Sequence, residues 1–317
     1  LYMRRLAVLA CIGLVHIFLI WIGDILLLYA CLGFIALLLF RKSRPRTLLT
    51  WAVILPLVPL LAQGAATVVL ELGRSTPDGA AMIEGVLAQQ RAGFLADFER
   101  AVNVYSSGSY LEITAQRAYD YLNFIVLGNV MFLGFNVLAM FLIGIYFGRR
   151  GLFRDIESNR SFFRRLLVLG LASGLAASLI YATLSMPLSR AEPSVMVFGV
   201  SVCQTIGSIA LSLAYMSGLT LLFLRRAWSA RLRVLAPVGQ MALSNYLSQS
   251  IVCTLIFYGY GLGLFGKVGT ATGLLLAMAI YGAQIPLSNG WMRRFNFGPA
   301  EWLWRSLTYM KLQPMRR

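Results

Sequence analysis

Two side chains could do acid-base chemistry inside an apolar stretch. His16 is the only histidine in the 317 residues, and Asp24 follows it, beside Trp21 and Tyr29. An imidazole next to a carboxylate can pass protons or act as a general base. The same pair also reads as a histidine satisfied by a neighbouring helix and an aspartate that caps the next one. A second set, Ser244, Asn245, Ser248 and Gln249, follows i, i+1, i+4, i+5 spacing and so shares one helical face. That face either lines a polar cavity or hydrogen-bonds to other helices. Asp120, Asn123, Asn129 and Asn136 pose the same question. A third set, Arg293, Arg294, Trp302, Trp304 and Arg305, interleaves aromatics with arginine after Pro299, a residue suited to start a helix. Together with Arg225 and Arg226 it could form a basic mouth for the phosphates and adenine of acyl-coenzyme A. A helix lying in the membrane interface uses the same composition.

The elements that carry these residues follow from composition. The chain is 59% hydrophobic and 13% charged, with a mean hydropathy of +0.74. A soluble protein of this length would carry about 25% charged residues, so lipid must serve as solvent. The fold class is an all-α integral membrane protein. The net charge of +16 would suggest a nucleic-acid partner in a soluble protein, but here the arginines sit at the ends of apolar runs, which is a topology signal. Cys11, Cys31, Cys203 and Cys253 lie inside apolar runs without metal-ligand or redox spacing and read as packing residues. No metal site and no resident cofactor are expected.

The run Leu6 to Phe40 is too long for one crossing, and Gly23-Asp24 interrupts it, so a helical hairpin is expected. Further crossings are expected at 48–70, 119–147, 166–188, 196–224, 240–265 and 271–291, which makes a bundle of about eight. Alternating the loops leaves only Arg74, Arg91, Arg100, Arg117, Arg190 and Lys267 outside among the 28 Lys and Arg. Both ends then lie in the cytoplasm.

The expected domains are 1–70 (hairpin plus third helix), 71–118 (an extracytoplasmic helical cap), 119–291 (five crossings) and 292–317 (a cytoplasmic interfacial segment). Thr76-Pro77-Asp78 supplies an N-cap, a first-turn proline and a first-turn acid for a helix to about Gln90. Gly144/Gly148, Gly170/Gly174 and Gly259/Gly263 are spaced for close helix contact. The glycine run 259–266 is no dinucleotide loop, because no strand precedes it. The opening Leu-Tyr-Met-Arg-Arg reads as a fragment without a signal peptide.

These strings resemble a known family. Gly13-Leu-Val-His16, Trp21-Ile-Gly23-Asp24-Ile-Leu26 and Tyr29-Ala-Cys-Leu-Gly33 are similar to the central motif of the YeiB-like bacterial inner-membrane proteins. The strings 239–250, 258–263 and 294–309, the last containing Gly298-Pro299-Ala-Glu301-Trp302, are similar to their C-terminal domain of unknown function 418. The resemblance implies about ten helices in a full-length member, of which two early ones and an arginine-glycine motif would be missing here. Family members are usually described as probable transport proteins, and the family is similar at a distance to transmembrane acyltransferases. In those enzymes the catalytic histidine lies in the early region, so a role for His16 rests on its own chemistry.

Two function classes remain open. One is acyl transfer from a cytoplasmic donor, acyl-coenzyme A, to an extracytoplasmic small-molecule or glycan acceptor, with His16 as base and Asp24 as its orienter. The other is transport of a small solute, with Asn245, Ser248 and Gln249 lining a path and His16 coupling it to protons. A membrane scaffold without turnover is a third. The arginine distribution is tested by cysteine labelling: residues in 75–117 and 150–163 are expected to react from opposite sides of the membrane, and labelling of both from one side would reverse the topology.

Overall fold

The computed structural model describes residues 1–128, 133–188 and 194–317. Asn129 and Arg190 lie outside them. Fourteen α-helices are described: α1 (Tyr2–Val15), α2 (Leu26–Phe40), α3 (Pro45–Gly73), α4 (Pro77–Ser107), α5 (Tyr110–Asp120), α6 (Val126–Gly128), α7 (Gly134–Arg150), α8 (Arg160–Leu188), α9 (Val195–Phe223), α10 (Arg226–Leu232), α11 (Ala236–Gln240), α12 (Ala242–Phe257), α13 (Thr270–Met292) and α14 (Pro299–Tyr309). Single π-helical turns extend α1 (His16–Ile20) and α5 (Tyr121–Ile125).

Among the described residues five helices are long and apolar enough to span a membrane: Tyr2–Ile20, Pro45–Gly73, Arg160–Ser185, Val195–Phe223 and Thr270–Met292. Leu26–Phe40 and Ala242–Phe257 are shorter apolar helices. Leu61, Val69, Leu169 and Leu275 are among many large apolar side chains facing outward, a surface that hydrocarbon covers and water would not. The chain is thus an all-α membrane protein. The expected stretch 119–147 is described in pieces around residues 129–132. The expected stretch 240–265 is cut short: α12 stops at Phe257, Tyr258 turns extended (φ −81°, ψ 156°), and Gly263 (φ +62°) and Gly266 (φ +73°) then turn the chain further on. α4 starts at Pro77, with Thr76 Oγ1 accepting from Gly79 N at 3.2 Å, and continues beyond Gln90.

The chain forms two compact units. One comprises Ile35–Phe94 and Asn129–Ser229. Within it α8 and α9 pack along their length. A Cβ on Gly170 would lie 2.7 Å from the Ala210 carbonyl, and one on Gly174 2.8 Å from Leu211, so these glycines let two backbones touch. Gly144 and Gly148 meet nothing within 4 Å; the close contact expected there is absent among the described residues. Arg149 donates to the carbonyls of Phe40 (3.1 Å), Arg41 (2.6 Å) and Ser43, where α2 would otherwise leave acceptors unsatisfied.

The other unit comprises Leu1–Phe34, Leu95–Gly128 and Ala230–Arg317. α14 packs on α1 and α12. Glu301 accepts from Leu243 N (2.6 Å) and Ser244 N (3.1 Å), placing a carboxylate at the positive end of α12. Trp304 Nε1 donates to the Arg5 carbonyl at 2.8 Å. Tyr105, Ile113 and Tyr258 form an aromatic core at the α4–α5 junction. Gly259 packs there against Ser107 and Gly108 rather than against another spanning helix. Burial, then the hydrogen bond to Asp120 (2.8 Å), pushes the Tyr105 hydroxyl well above the ordinary phenol range, so it stays a donor.

α1 and α2 are held close at Gly13, where a Cβ would lie 2.5 Å from Leu27 N. Gly13→Val is expected to destabilise the protein by about 1–3 kcal/mol through overpacking, read by thermal unfolding in detergent. Gly144→Val, in open space, is expected to leave stability near wild type.

Candidate functional site

The site forms where the first apolar run breaks. Its helix ends in the π-helical turn His16–Ile20, Trp21 turns extended (φ −151°, ψ 134°), and α2 begins at Leu26. Asp24 bridges the break. Its Oδ2 accepts from Leu27 N at 2.7 Å, a helix N-cap bond, while its Oδ1 lies 3.0 Å from His16 Nδ1. Both side chains are fully buried. The capping and the pairing expected as alternatives therefore occur together, one on each carboxylate oxygen. The His16–Asp24 contact is close but not well aligned as a hydrogen bond, and His16 Nε2 has no hydrogen-bond partner among the described residues.

Aromatic rings wall the imidazole. Tyr246 of α12 lies 5.0 Å from it between ring centroids, and Trp21 meets it edge-on at 6.3 Å. The Tyr246 hydroxyl donates to Gly23 O (3.3 Å) and accepts from Ile25 N (3.4 Å), so it satisfies the exposed backbone of the break. A Cβ on Gly23 would lie 2.4 Å from the Trp21 ring, so any larger residue there must displace the indole.

α5 closes the carbonyl side of the same break. Tyr110 donates to Leu19 O at 2.8 Å, and Arg117 donates to Ile20 O and to Thr114 Oγ1 (2.7 Å). Arg117 is fully buried. Its charge faces the carbonyl end of a helix, where a cation is favoured. Neither Arg117 nor Tyr246 stood out in the sequence: Arg117 counts there as one more loop charge, and Tyr246 as one of 14 tyrosines.

The polar face of α12 meets α13. Gln249 Nε2 donates to Gln284 Oε1 (2.6 Å), Gln284 Nε2 donates to Asn245 O (2.9 Å) and Ser248 Oγ (3.0 Å), and Asn245 Nδ2 donates to Ser288 Oγ (3.1 Å). Asn245, Ser248 and Gln249 are therefore brought together, and their polar groups are partnered across the two helices. Asn123 donates to Tyr119 O (2.8 Å) and Asp120 accepts from Gln116 (2.8 Å). Asn136 lies on α7.

The basic residues are divided. A cleft of about 430 Å³ is lined by Arg5, Gln240, Asn296, Phe297, Trp304 and Arg305 among others. There Arg5 sits over the Trp304 ring (4.4 Å) and Arg305 over Phe297 (4.5 Å). Trp302 Nε1 donates to Gln313 O at 2.8 Å. Arg293 and Arg294 are exposed after α13. Arg225 lines a second cleft, with Arg160 and Arg164, and Arg226 opens α10; both arginines belong to the other unit.

Residues 147–311 match the family model described as "Protein of unknown function (DUF418)". The chain belongs to that family. The uncharacterized protein YxaH of Bacillus subtilis (strain 168) is 36% identical over 328 aligned residues, spanning 100% of this chain and 74% of the relative. The uncharacterized protein YeiB of Escherichia coli (strain K12) is 30% identical over 98% of this chain and 76% of its own length. An uncharacterized 39.9 kDa protein of Bacillus acidopullulyticus is 36% identical over 32% of this chain and 29% of its own. No solved structure matches the chain significantly. As a DUF418 member similar to YeiB, the chain is a YeiB-like membrane protein.

Arg117→Leu removes the donor to a buried helix-end carbonyl. It is expected to destabilise the fold by about 1–3 kcal/mol, read by thermal unfolding, with Arg117→Gln intermediate because it keeps an N–H.

Proposed function

We propose that this protein transfers an acyl group across the bacterial inner membrane, from an acyl-coenzyme A donor on the cytoplasmic side to a hydroxyl or amine acceptor on the outer side. One observation carries the reading: a buried histidine whose Nδ1 faces a carboxylate while its Nε2 has no hydrogen-bond partner among the described residues. A carboxylate only accepts, so the neutral ring holds its proton on Nδ1 and presents a lone pair at Nε2. This is the arrangement of a general base with an orienting carboxylate, and such pairs are commonly misaligned before substrate binds.

In the reaction, Nε2 takes the proton of the acceptor hydroxyl as its oxygen attacks the thioester carbonyl. The C–S bond breaks, and the departing thiolate takes the proton back from the imidazolium. The excess of arginine on one side of the expected topology supports a cytoplasmic location for both chain ends. On that expected topology the cleft lined by Arg5 and Arg305 would face the cytoplasm, and its cations suit the phosphates of the donor.

Proton-coupled transport of a small solute is the second reading, favoured by the interruption of α1 beside an ionisable pair, a feature of discontinuous transporter helices. It is weakened by the hydrogen bonds that engage Asn245, Ser248 and Gln249 against α13.

Inside-out vesicles given radiolabelled acetyl-coenzyme A separate the two. Label is expected in lumenal acceptors, with the rate falling about 100- to 10,000-fold in His16→Gln, which keeps hydrogen bonding but removes the base. Transfer that persists unchanged in folded His16→Gln contradicts the assignment. No calorimetric binding of acetyl-coenzyme A or free coenzyme A at millimolar concentration supports transport instead.

A further inference from the structure

The second basic cleft calls for a ligand of its own. It has a volume of about 960 Å³ and lies between the start of α8 and the end of α9. Its polar rim is Glu157, Arg160, Ser161, Arg164 and Arg225; its floor is Leu167, Gly218, Leu221 and Leu222. Arg160 is held by Glu157 at 3.8 Å. Arg164 and Arg225 have no acidic partner among the described residues, so the rim carries a net positive charge.

The floor is apolar because it belongs to two membrane-spanning segments, Arg160–Ser185 and Val195–Phe223, and the arginines mark where both leave the hydrocarbon. A cleft that is cationic at the interface and greasy just below it matches an amphiphile with an anionic head. A freely soluble anion would use the rim and leave the floor wet. Gly218 keeps the floor open: a Cβ there reaches only ordinary contact with Leu167, at 3.4 Å. A larger side chain would occupy the space.

We propose that this cleft binds an anionic phospholipid, its phosphate between Arg164 and Arg225 and the first methylenes of its acyl chains against Leu167, Leu221 and Leu222. The site is independent of the His16 chemistry and holds for an enzyme or a transporter.

Native mass spectrometry of the purified protein tests it with three probes: phosphatidylglycerol, phosphatidylcholine with the same chains, and soluble glycerol phosphate. Phosphatidylglycerol is expected to be retained preferentially, and Arg164→Gln with Arg225→Gln to weaken that retention about tenfold or more. Gly218→Leu keeps every charge and favours the helix, so it is expected to fold and yet lose the bound lipid. Equal retention of the two phospholipids overturns the proposal, as does unchanged retention in folded Gly218→Leu. Glycerol phosphate binding as well as the lipid would assign the rim to a free phosphate and also overturn it.

Discussion

A carboxylate buried in hydrocarbon must have every lone pair answered by the protein, because lipid answers none. Asp24 turns its oxygens in two directions, Oδ2 accepting from Leu27 N and Oδ1 lying 3.0 Å from His16 Nδ1. The interruption of the first apolar run depends on this double use. A chain that leaves helical geometry inside a membrane exposes carbonyls and N–H groups that need partners, and here they come from three places: Asp24 itself, the Tyr246 hydroxyl on α12, and the Tyr110 and Arg117 side chains on α5. The His16–Asp24 pair is therefore not an addition to the fold. It is part of what makes the break tolerable.

The same economy recurs away from the pair. Arg149 covers the carbonyl end of α2 as Arg117 covers the end of the first helix. Glu301 covers the amide end of α12. Each uses a charge of the sign that the helix end favours. The amides on α12 and α13 answer one another. Many of the described polar groups in the apolar runs are thus bound to backbone or to another such group. Against that background, His16 Nε2 and Ser217 Oγ are buried without a hydrogen-bond partner among the described residues.

How much of this the sequence carried depends on the range of the interaction. The hairpin break at Gly23-Asp24, the start of α4 at Pro77 and the start of α14 at Pro299 are local and were legible from proline, glycine and capping patterns. The spans of α3, α8, α9 and α13 followed from the apolar runs, whereas α12 stops short at Phe257 and α4 runs on past Gln90. The partners of each polar residue were not legible. Tyr246 lies far along the chain from Gly23, and Gln284 and Ser288 become partners of α12 only once two helices meet. The glycine pairs show the same limit: identical spacing gives close backbone contact at Gly170 and Gly174 but open space at Gly144 and Gly148. Spacing places residues on one face and does not say what the face meets. The interleaved arginines and tryptophans likewise looked like a single surface, yet Trp304 spends its indole N–H on the Arg5 carbonyl and its ring on the Arg5 guanidinium.

On the proposed reading Asp24 holds the neutral His16 ring with its proton on Nδ1 and leaves Nε2 free to act as a base. Because His16 is the only histidine, ¹⁵N-histidine labelling gives a single imidazole to observe by NMR. At a pH where the ring is neutral, the account predicts a protonated Nδ1 and an unprotonated Nε2, with the two tautomers mixing in Asp24→Asn. A neutral ring that carries its proton on Nε2 in the wild-type protein would contradict it.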